Sequence, residues 1–115
     1  MITICGGFES VPAGVYQPCI FKALEECETS KGKAYRWRFE TPDNKPITEL
    51  SDREHPPTER NKTGRFLAAL AGKPPVVGTA VEPNDFVGRR YLVVVSPKPG
   101  ATNGQTGIAT FSPLA

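Results

Sequence analysis

The ten residues from Gly32 to Thr41, GKAYRWRFET, combine two side-chain types that can bind an anionic, base-bearing strand. The odd positions are aromatic and the even positions are charged: Tyr35, Trp37 and Phe39 alternate with Arg36, Arg38 and Glu40. Guanidinium groups neutralise phosphates, and aromatic rings stack on bases. Because successive side chains of a β-strand point to opposite faces, the pattern predicts a strand with one apolar face and one charged face.

Each face of this strand has two interpretations. The aromatic face is either core or a stacking surface, with Phe39 expected inside and Tyr35, next to a loop, expected to touch a ligand. The arginines either track phosphates or form ion pairs with Glu25 and Glu40, as surface strands commonly do. Register decides, since a slip of one residue exchanges the faces.

Further basic residues extend the candidate site. Lys22 is expected on the preceding strand, Lys31 and Lys33 in the hairpin between the two strands, Arg90 in a later strand and Lys98 in a Gly- and Asn-rich loop. The complete set of candidate nucleic-acid-binding residues is Lys22, Lys31, Lys33, Tyr35, Arg36, Trp37, Arg38, Arg90 and Lys98.

The charge is uneven along the 115 residues, although the formal net charge is only +2. Residues 1–30 carry one Lys against four Glu, whereas residues 31–40 carry four basic groups against one Glu. Residues 61–115 carry six basic groups against two acidic ones. An anionic partner is therefore expected at the second strand and the C-terminal half.

Catalysis, cofactors and metals have little support. The sequence contains no P-loop and no nucleophile elbow. Its three cysteines, Cys5, Cys19 and Cys27, have irregular spacings, and His55 is the single histidine, so neither a disulfide framework nor a zinc signature is predicted. With no leader peptide or membrane span in view, we expect reduced thiols and a cytoplasmic location.

The rest of the chain is divided into short elements by twelve Pro and eleven Gly. Strands are predicted over residues 15–24, 34–41, 47–50, 89–96 and 107–111. Residues 51–60 are predicted not to form a buried element. A helix is predicted from about Thr58 or Asn61 to Ala71, ending at Gly72, although Gly64 within it costs about 1 kcal/mol relative to Ala.

This order, three strands, a helix and two strands, predicts one all-β domain with a single helix. It is the layout of an OB-fold, a five-stranded Greek-key barrel with the helix between strands three and four. In such barrels ligands bind across the second and third strands, between flanking loops.

Several stretches together resemble a family. The stretches PAGVY, GKAYRWRFE, GRFLAALAG and DFVGRRYLVVV, followed by a Gly- and Asn-rich loop, lie between about Pro12 and Pro113. They resemble small bacteriophage-type proteins similar to OB-fold single-stranded-DNA-binding proteins. The resemblance implies a role in phage or mobile-element replication or recombination. The chain ends in TFSPLA and not in the acidic tail that recruits partner proteins to typical replication single-strand binders.

Two functions follow as hypotheses. The first is sequence-tolerant binding of single-stranded DNA, with RNA as the alternative ligand and replication or recombination proteins as partners. The second, favoured by the low net charge, is an OB-like protein-interaction or accessory (counter-defence) factor without nucleic-acid binding. No membrane association is expected, and self-association into a homo-oligomer is left open.

Overall fold

The computed structural model describes residues 3–4, 11–30, 32–58, 60–73, 78, 80–97 and 106–114. Six strands, one α-helix and one 3-10 helix lie within them. The strands are β1 (Thr3–Ile4), β2 (Gly14–Thr29), β3 (Gly32–Glu40), β4 (Pro46–Asp52), β5 (Arg90–Pro97) and β6 (Thr106–Pro113). The α-helix α1 (Lys62–Ala71) follows β4, and the 3-10 helix η1 (Pro83–Phe86) precedes β5.

The five long strands form one antiparallel sheet in the order β4-β3-β2-β5-β6, and β1 adds a short parallel pairing to β2. This confirms a mostly-β domain with one helix between the third and fourth of the predicted strands. The sheet is not closed, because no backbone ladder joins β4 to β6 within the described ranges. The two edge strands nevertheless contact each other, so the sheet is strongly curled.

Strand β2 is longer than the sequence predicts. The acidic stretch at residues 25–28, expected to lead into a turn, continues the strand and pairs with β3, with Glu25 opposite Arg36 and Glu28 opposite Lys33. Arg36 and Glu25 form an ion pair at 2.9 Å, and opposite charges on facing positions stabilise an antiparallel pair, which a composition argument for a turn overlooks. The ladder shifts at a bulge between Phe21 and Ala23.

The core is a cluster of aromatic rings on the concave side of the sheet. Phe111 of β6 lies at its centre, with ring centroids 4.9 Å from Phe39, 5.1 Å from Phe66 and 5.7 Å from Tyr91. Trp37 packs edge-on against Phe66 at 5.3 Å. Rings of β3 and β6 meet although β2 and β5 lie between these strands in the sheet, because the sheet curls.

The helix has the predicted ends. Asn61 is the N-cap, its side chain accepting from the Gly64 N–H at 2.8 Å, and Gly72 adopts a left-handed conformation with φ of 72° at the C-terminal end. The apolar side of α1 packs against β6 and β4. The Tyr91 hydroxyl donates to the Leu70 carbonyl at 2.6 Å, which ties the end of the helix to β5.

Residues 51–60 depart from the prediction at their start. Ser51 and Asp52 complete β4, and Ser51 is buried. Its hydroxyl accepts hydrogen bonds from the Trp37 indole at 2.8 Å and from the Thr63 hydroxyl at 2.7 Å. A serine that satisfies two buried donors can lie inside the fold, and the sequence gives no sign of those donors.

Candidate nucleic-acid interface

Strand β3 separates the two side-chain types that the sequence alternates. Trp37 and Phe39 have no exposed surface and face the helix and the aromatic core. Arg36 and Arg38 lie on the opposite, outer face of the sheet, where 22% and 48% of their side chains are exposed. The predicted alternation is therefore present. The basic candidates lie together on the outer face, and the aromatic candidates lie on the inner face.

The outer face brings together four candidate cations from three adjacent strands. Lys22 lies at the bulge of β2, beside the position opposite Arg38. Ile20 of β2 pairs with Glu40 on one side and with Arg90 on the other, so Arg90 extends the face onto β5. We call Lys22, Arg36, Arg38 and Arg90 the basic face. With a strand spacing of about 4.8 Å, it spans roughly 10 Å across β3, β2 and β5.

Two acids lie within the basic face. One carboxylate oxygen of Glu25, Oε1, accepts from Arg36 Nε at 3.1 Å and Nη2 at 2.9 Å. The same oxygen lies 3.6 Å from Arg38 Nη1, and Glu40 lies 3.8 Å from Lys22 Nζ. The interpretation of these arginines as ion-pair partners is thus realised with Glu25, while Glu40 pairs with Lys22.

These ion pairs reduce the net positive charge of the basic face but do not cancel it. Three of these cations, Lys22, Arg36 and Arg38, share two carboxylates, which leaves one positive charge in excess among these five groups. The pairs are partly exposed, so each contributes at most about 1 kcal/mol and is screened by salt. The arrangement can still attract phosphates, but an incoming phosphate must compete with Glu25 for both arginines.

Trp37 is corrected as a site residue. Its side chain is completely buried, and its indole N–H is hydrogen bonded to Ser51. A ring enclosed by Phe66 and Phe111 has no face open to a base. The structure shows Trp37 as a core residue and not as a stacking surface. Trp37 is therefore removed from the candidate nucleic-acid-binding residues.

Tyr35 is half-buried and lies on the inner side of the strand, away from the arginines. Its ring is one wall of a cleft, and the Arg53 guanidinium lies 6.0 Å from the ring centroid. The structure therefore does not place Tyr35 together with the basic face. No other aromatic residue of the described ranges supplies a ring to the outer face, since each packs towards the core or η1.

The remaining candidates are the lysines of the predicted loops. Lys33 is exposed at the start of β3, and its backbone N–H donates to Glu54 Oε1 at 2.8 Å. Its side chain makes no ion pair with any residue that the structure describes. Lys31 and Lys98 lie outside the described residues.

Sequence reasoning missed the state of the cysteines. Cys27, 1% exposed, is disulfide-bonded. The expectation of reduced thiols is therefore wrong for Cys27. Cys19 is free and completely buried, and burial raises the pKa of its thiol to about 11. Cys27 lies opposite Thr3 in the short β1 pairing, a contact that no pattern in the sequence indicates.

Metal-ligand clusters and membrane-spanning helices are both absent from the described ranges. Among those residues, no three His, Cys, Asp or Glu side chains lie closely enough together to hold a metal ion. No helix in the same part of the chain has the length and apolar character needed to cross a bilayer.

Comparison of the chain with protein-family models, with curated proteins and with solved structures found no match.

Proposed function

We propose that this chain is a sequence-tolerant single-stranded DNA-binding protein of phage or mobile-element type that supports replication or recombination. The observation that carries the proposal is the basic face, which places four cations on three adjacent strands, three of them sharing only two carboxylates. Phosphate neutralisation by such cations is the largest sequence-independent term in binding nucleic acids.

Binding would exchange one anion for another. Arg36 and Arg38 already hold their guanidinium groups around one carboxylate oxygen of Glu25, a geometry that also suits a phosphate oxygen. Lys22 and Arg90 would hold neighbouring phosphates. Contacts of this kind read neither the bases nor the 2′-hydroxyl, so RNA is a second ligand of the same site.

The proposed fold is an OB-type barrel that is partly open. Its support is the sheet order, the contact between the edge strands β4 and β6, and the helix that packs on both. In such barrels the ligand crosses the strands that correspond to β3, which carries Arg36 and Arg38 of the basic face, and β4 beside it. The resemblance to phage-type OB-fold single-strand binders agrees with this assignment.

The biological setting belongs to the same proposal. The partners would be replication or recombination proteins, with homo-oligomers as a further assembly, in the cytoplasm of a bacterial host. The Cys27 disulfide counts against the cytoplasm, where thiols are kept reduced. The ligand assignment does not depend on the compartment.

Fluorescence anisotropy with a labelled 20-nucleotide oligo(dT) tests the proposal. If four phosphates are neutralised, the logarithm of the association constant should fall with the logarithm of salt concentration with a slope of about −3. Arg36→Ala with Arg38→Ala should reduce that slope to about −1.4 and weaken binding at low salt. Thermal unfolding should change little, since the lost ion pairs are partly exposed.

The matched control is Arg60→Ala with Arg65→Ala. Both residues are exposed, make no ion pair with any described residue and lie outside the basic face, so the same net charge is removed elsewhere. Equal weakening by the two double variants would show that only total charge matters. Loss of binding in parallel with loss of thermal stability would show that Arg36 and Arg38 are structural.

A protein-interaction or accessory (counter-defence) factor is the second candidate. The specific observation in its favour is that Lys22, Arg36 and Arg38 already have carboxylate partners. No oligonucleotide binding by the folded protein at low salt would select this candidate and eliminate the first.

A further inference from the structure

A cleft lies on the other side of the sheet from the basic face. It opens between the far end of the β2–β3 hairpin, the first turns of α1 and the segment before η1, with a volume of about 390 Å³. Tyr35 forms one wall. The lining is polar and apolar in similar measure, and its apolar part comes from Leu24, Tyr35, Pro57, Leu67, Val81 and Pro83.

The charged groups of this cleft have one sign. Glu26 and Glu82 line it, and none of its described lining residues is basic. The other polar lining residues are Thr63, which is buried and bonded to Ser51, and Asn84, whose N–H donates to Glu82 at 3.1 Å. A cleft that is lined by apolar side chains and by two carboxylates offers an apolar contact next to a negative charge. Its complement is an apolar group next to a cation.

One cation of the chain already shows how the wall accepts a guanidinium. Arg53 lies 6.0 Å from the Tyr35 ring centroid and 3.8 Å from Glu26 Oε2. Two backbone carbonyl groups hold Arg53 in place. Its Nε donates to the Ala34 carbonyl oxygen at 3.3 Å, and its Nη2 donates to the Cys27 carbonyl oxygen at 3.5 Å. Aromatic faces attract cations within about 6 Å, so this wall combines a cation–π surface with a carboxylate.

We propose that the cleft binds a basic segment of a partner protein, through an Arg or Lys side chain placed beside an aliphatic one. The cation would lie between Glu26 and Glu82, and the aliphatic group would pack on Leu24 and Leu67. This role goes beyond binding of nucleic acid and does not depend on it. Because Tyr35 and Arg36 are neighbours on opposite faces of β3, a partner protein and a strand of DNA could be held together.

The probe is the acetylated and amidated tripeptide Leu-Arg-Leu, titrated into the ¹⁵N-labelled full chain without oligonucleotide. We expect saturable amide shifts at millimolar peptide, centred on Leu24, Leu67 and Val81. The charge-reversed tripeptide Leu-Glu-Leu should produce none. No saturable shift with Leu-Arg-Leu, equal binding of both peptides, or shifts centred on Arg36 and Arg38 would each overturn the proposal.

Paired variants locate the cation. Glu26→Gln with Glu82→Gln should weaken Leu-Arg-Leu binding by roughly two- to fivefold per carboxylate, the loss expected for a partly exposed ion pair. The glutamine introduced by Glu82→Gln retains an amide oxygen that can accept from Asn84, so the cap of η1 is preserved. Glu28→Gln, which removes an exposed charge of β2 outside the cleft, is the control. Unchanged affinity in the double variant would contradict the assignment of the cation to these carboxylates.

Because the titration contains no nucleic acid, its failure and the failure of DNA binding are separate results.

Discussion

Under the proposed function, Glu25 limits how strongly the outer face of the sheet attracts a polyanion. Its Oε1 atom is shared by the guanidinium groups of Arg36 and Arg38, and its side chain is one-third exposed. In water such pairs stabilise a fold only slightly. Under the proposed function the same carboxylate would have a larger effect on binding, because a phosphate would have to displace it from two cations at once. Glu25 is thus better described as a competitor of the ligand than as a structural group.

Replacing Glu25 by Gln tests this role. Glu25→Gln should strengthen oligo(dT) binding at low salt by about two- to tenfold, since both arginines are released and one negative charge is lost. Stability should fall by less than about 1 kcal/mol. The anisotropy titration measures the first effect and urea unfolding the second. Glu28→Gln changes the net charge equally on the same strand, so equal gains from both variants would contradict a specific role for Glu25.

The sequence predicts which side chains of β3 share a face. It does not predict whether the aromatic face is buried in the core or whether the arginines of the other face form ion pairs. Period two alone fixed which side chains share a side, and Phe39 lies inside as expected. Whether Trp37 is core or surface depends on Phe66 and Phe111, which approach it from a helix and a strand distant in sequence. The pairing of Glu25 with Arg36 depends on a register that the bulge after Phe21 shifts. Neither contact is encoded locally.

At the scale of elements, α1 depends on a glycine whose role is steric. A Cβ atom added at Gly64 would lie 1.6 Å from the Thr58 carbonyl oxygen, because the segment before the helix crosses directly over its first turn. Asn61 holds that segment in place, its Oδ1 accepting from the N–H groups of Thr58 and Gly64. Gly64 thus lowers intrinsic helix propensity and permits the close approach that positions α1.

Gly64→Ala should therefore destabilise the protein, against the usual propensity order. Removal of glycine would favour a free helix by about 1 kcal/mol, but the backbone clash requires movement of Thr58 or of the helix. We expect a net loss of about 1–3 kcal/mol, as for overpacked interiors, measured by urea unfolding.

Gly14→Ala is the control for this substitution. Its added Cβ would meet only the Tyr16 ring, at an ordinary 3.8 Å, so stability should change by less than about 0.5 kcal/mol. Stabilisation by Gly64→Ala would contradict the steric role.

The helix and five of the strands lie where propensity and pattern place them, and the largest differences are at strand ends. Tertiary partners compensate polar groups at these ends: Glu25 pairs with Arg36, Glu26 pairs with Arg53, and Ser51 accepts from Trp37 and Thr63. Glu49, 5% exposed in β4, forms an ion pair with Lys62 of α1. Glu49 lies inside the predicted strand, but its burial opposite a lysine 13 positions later is a tertiary fact that the sequence does not show.

At the scale of the molecule, the reactivities of Cys19 and Cys27 report on the state of the fold. Cys19 lies in the aromatic core with its thiol pKa raised to about 11 by burial, so little thiolate forms at neutral pH. Cys27 is held in a disulfide beside the β1 pairing. The two residues should therefore respond to different treatments, one to unfolding and the other to reduction.

Alkylation with iodoacetamide followed by peptide mass spectrometry separates these states. In native protein without reductant, neither Cys19 nor Cys27 should be modified. In denaturant without reductant, Cys19 should react and Cys27 should not, and both should react after reduction. Modification of Cys27 without reductant would contradict the disulfide and would remove the argument against the cytoplasm. Rapid modification of native Cys19 would contradict its enclosure in the core.

The alternation along β3 has a consequence for how this protein can change. Arg36 and Arg38 lie on the outer face of the sheet, while Trp37 and Phe39 have no exposed surface and pack in the core. Substitutions at Arg36 and Arg38 can change which ligands the outer face attracts without disturbing the core. Mutations at the odd positions are tolerated only if the rings around them are repacked. The residues of β3 that can adapt to a new ligand are therefore different from the residues that stabilise the fold.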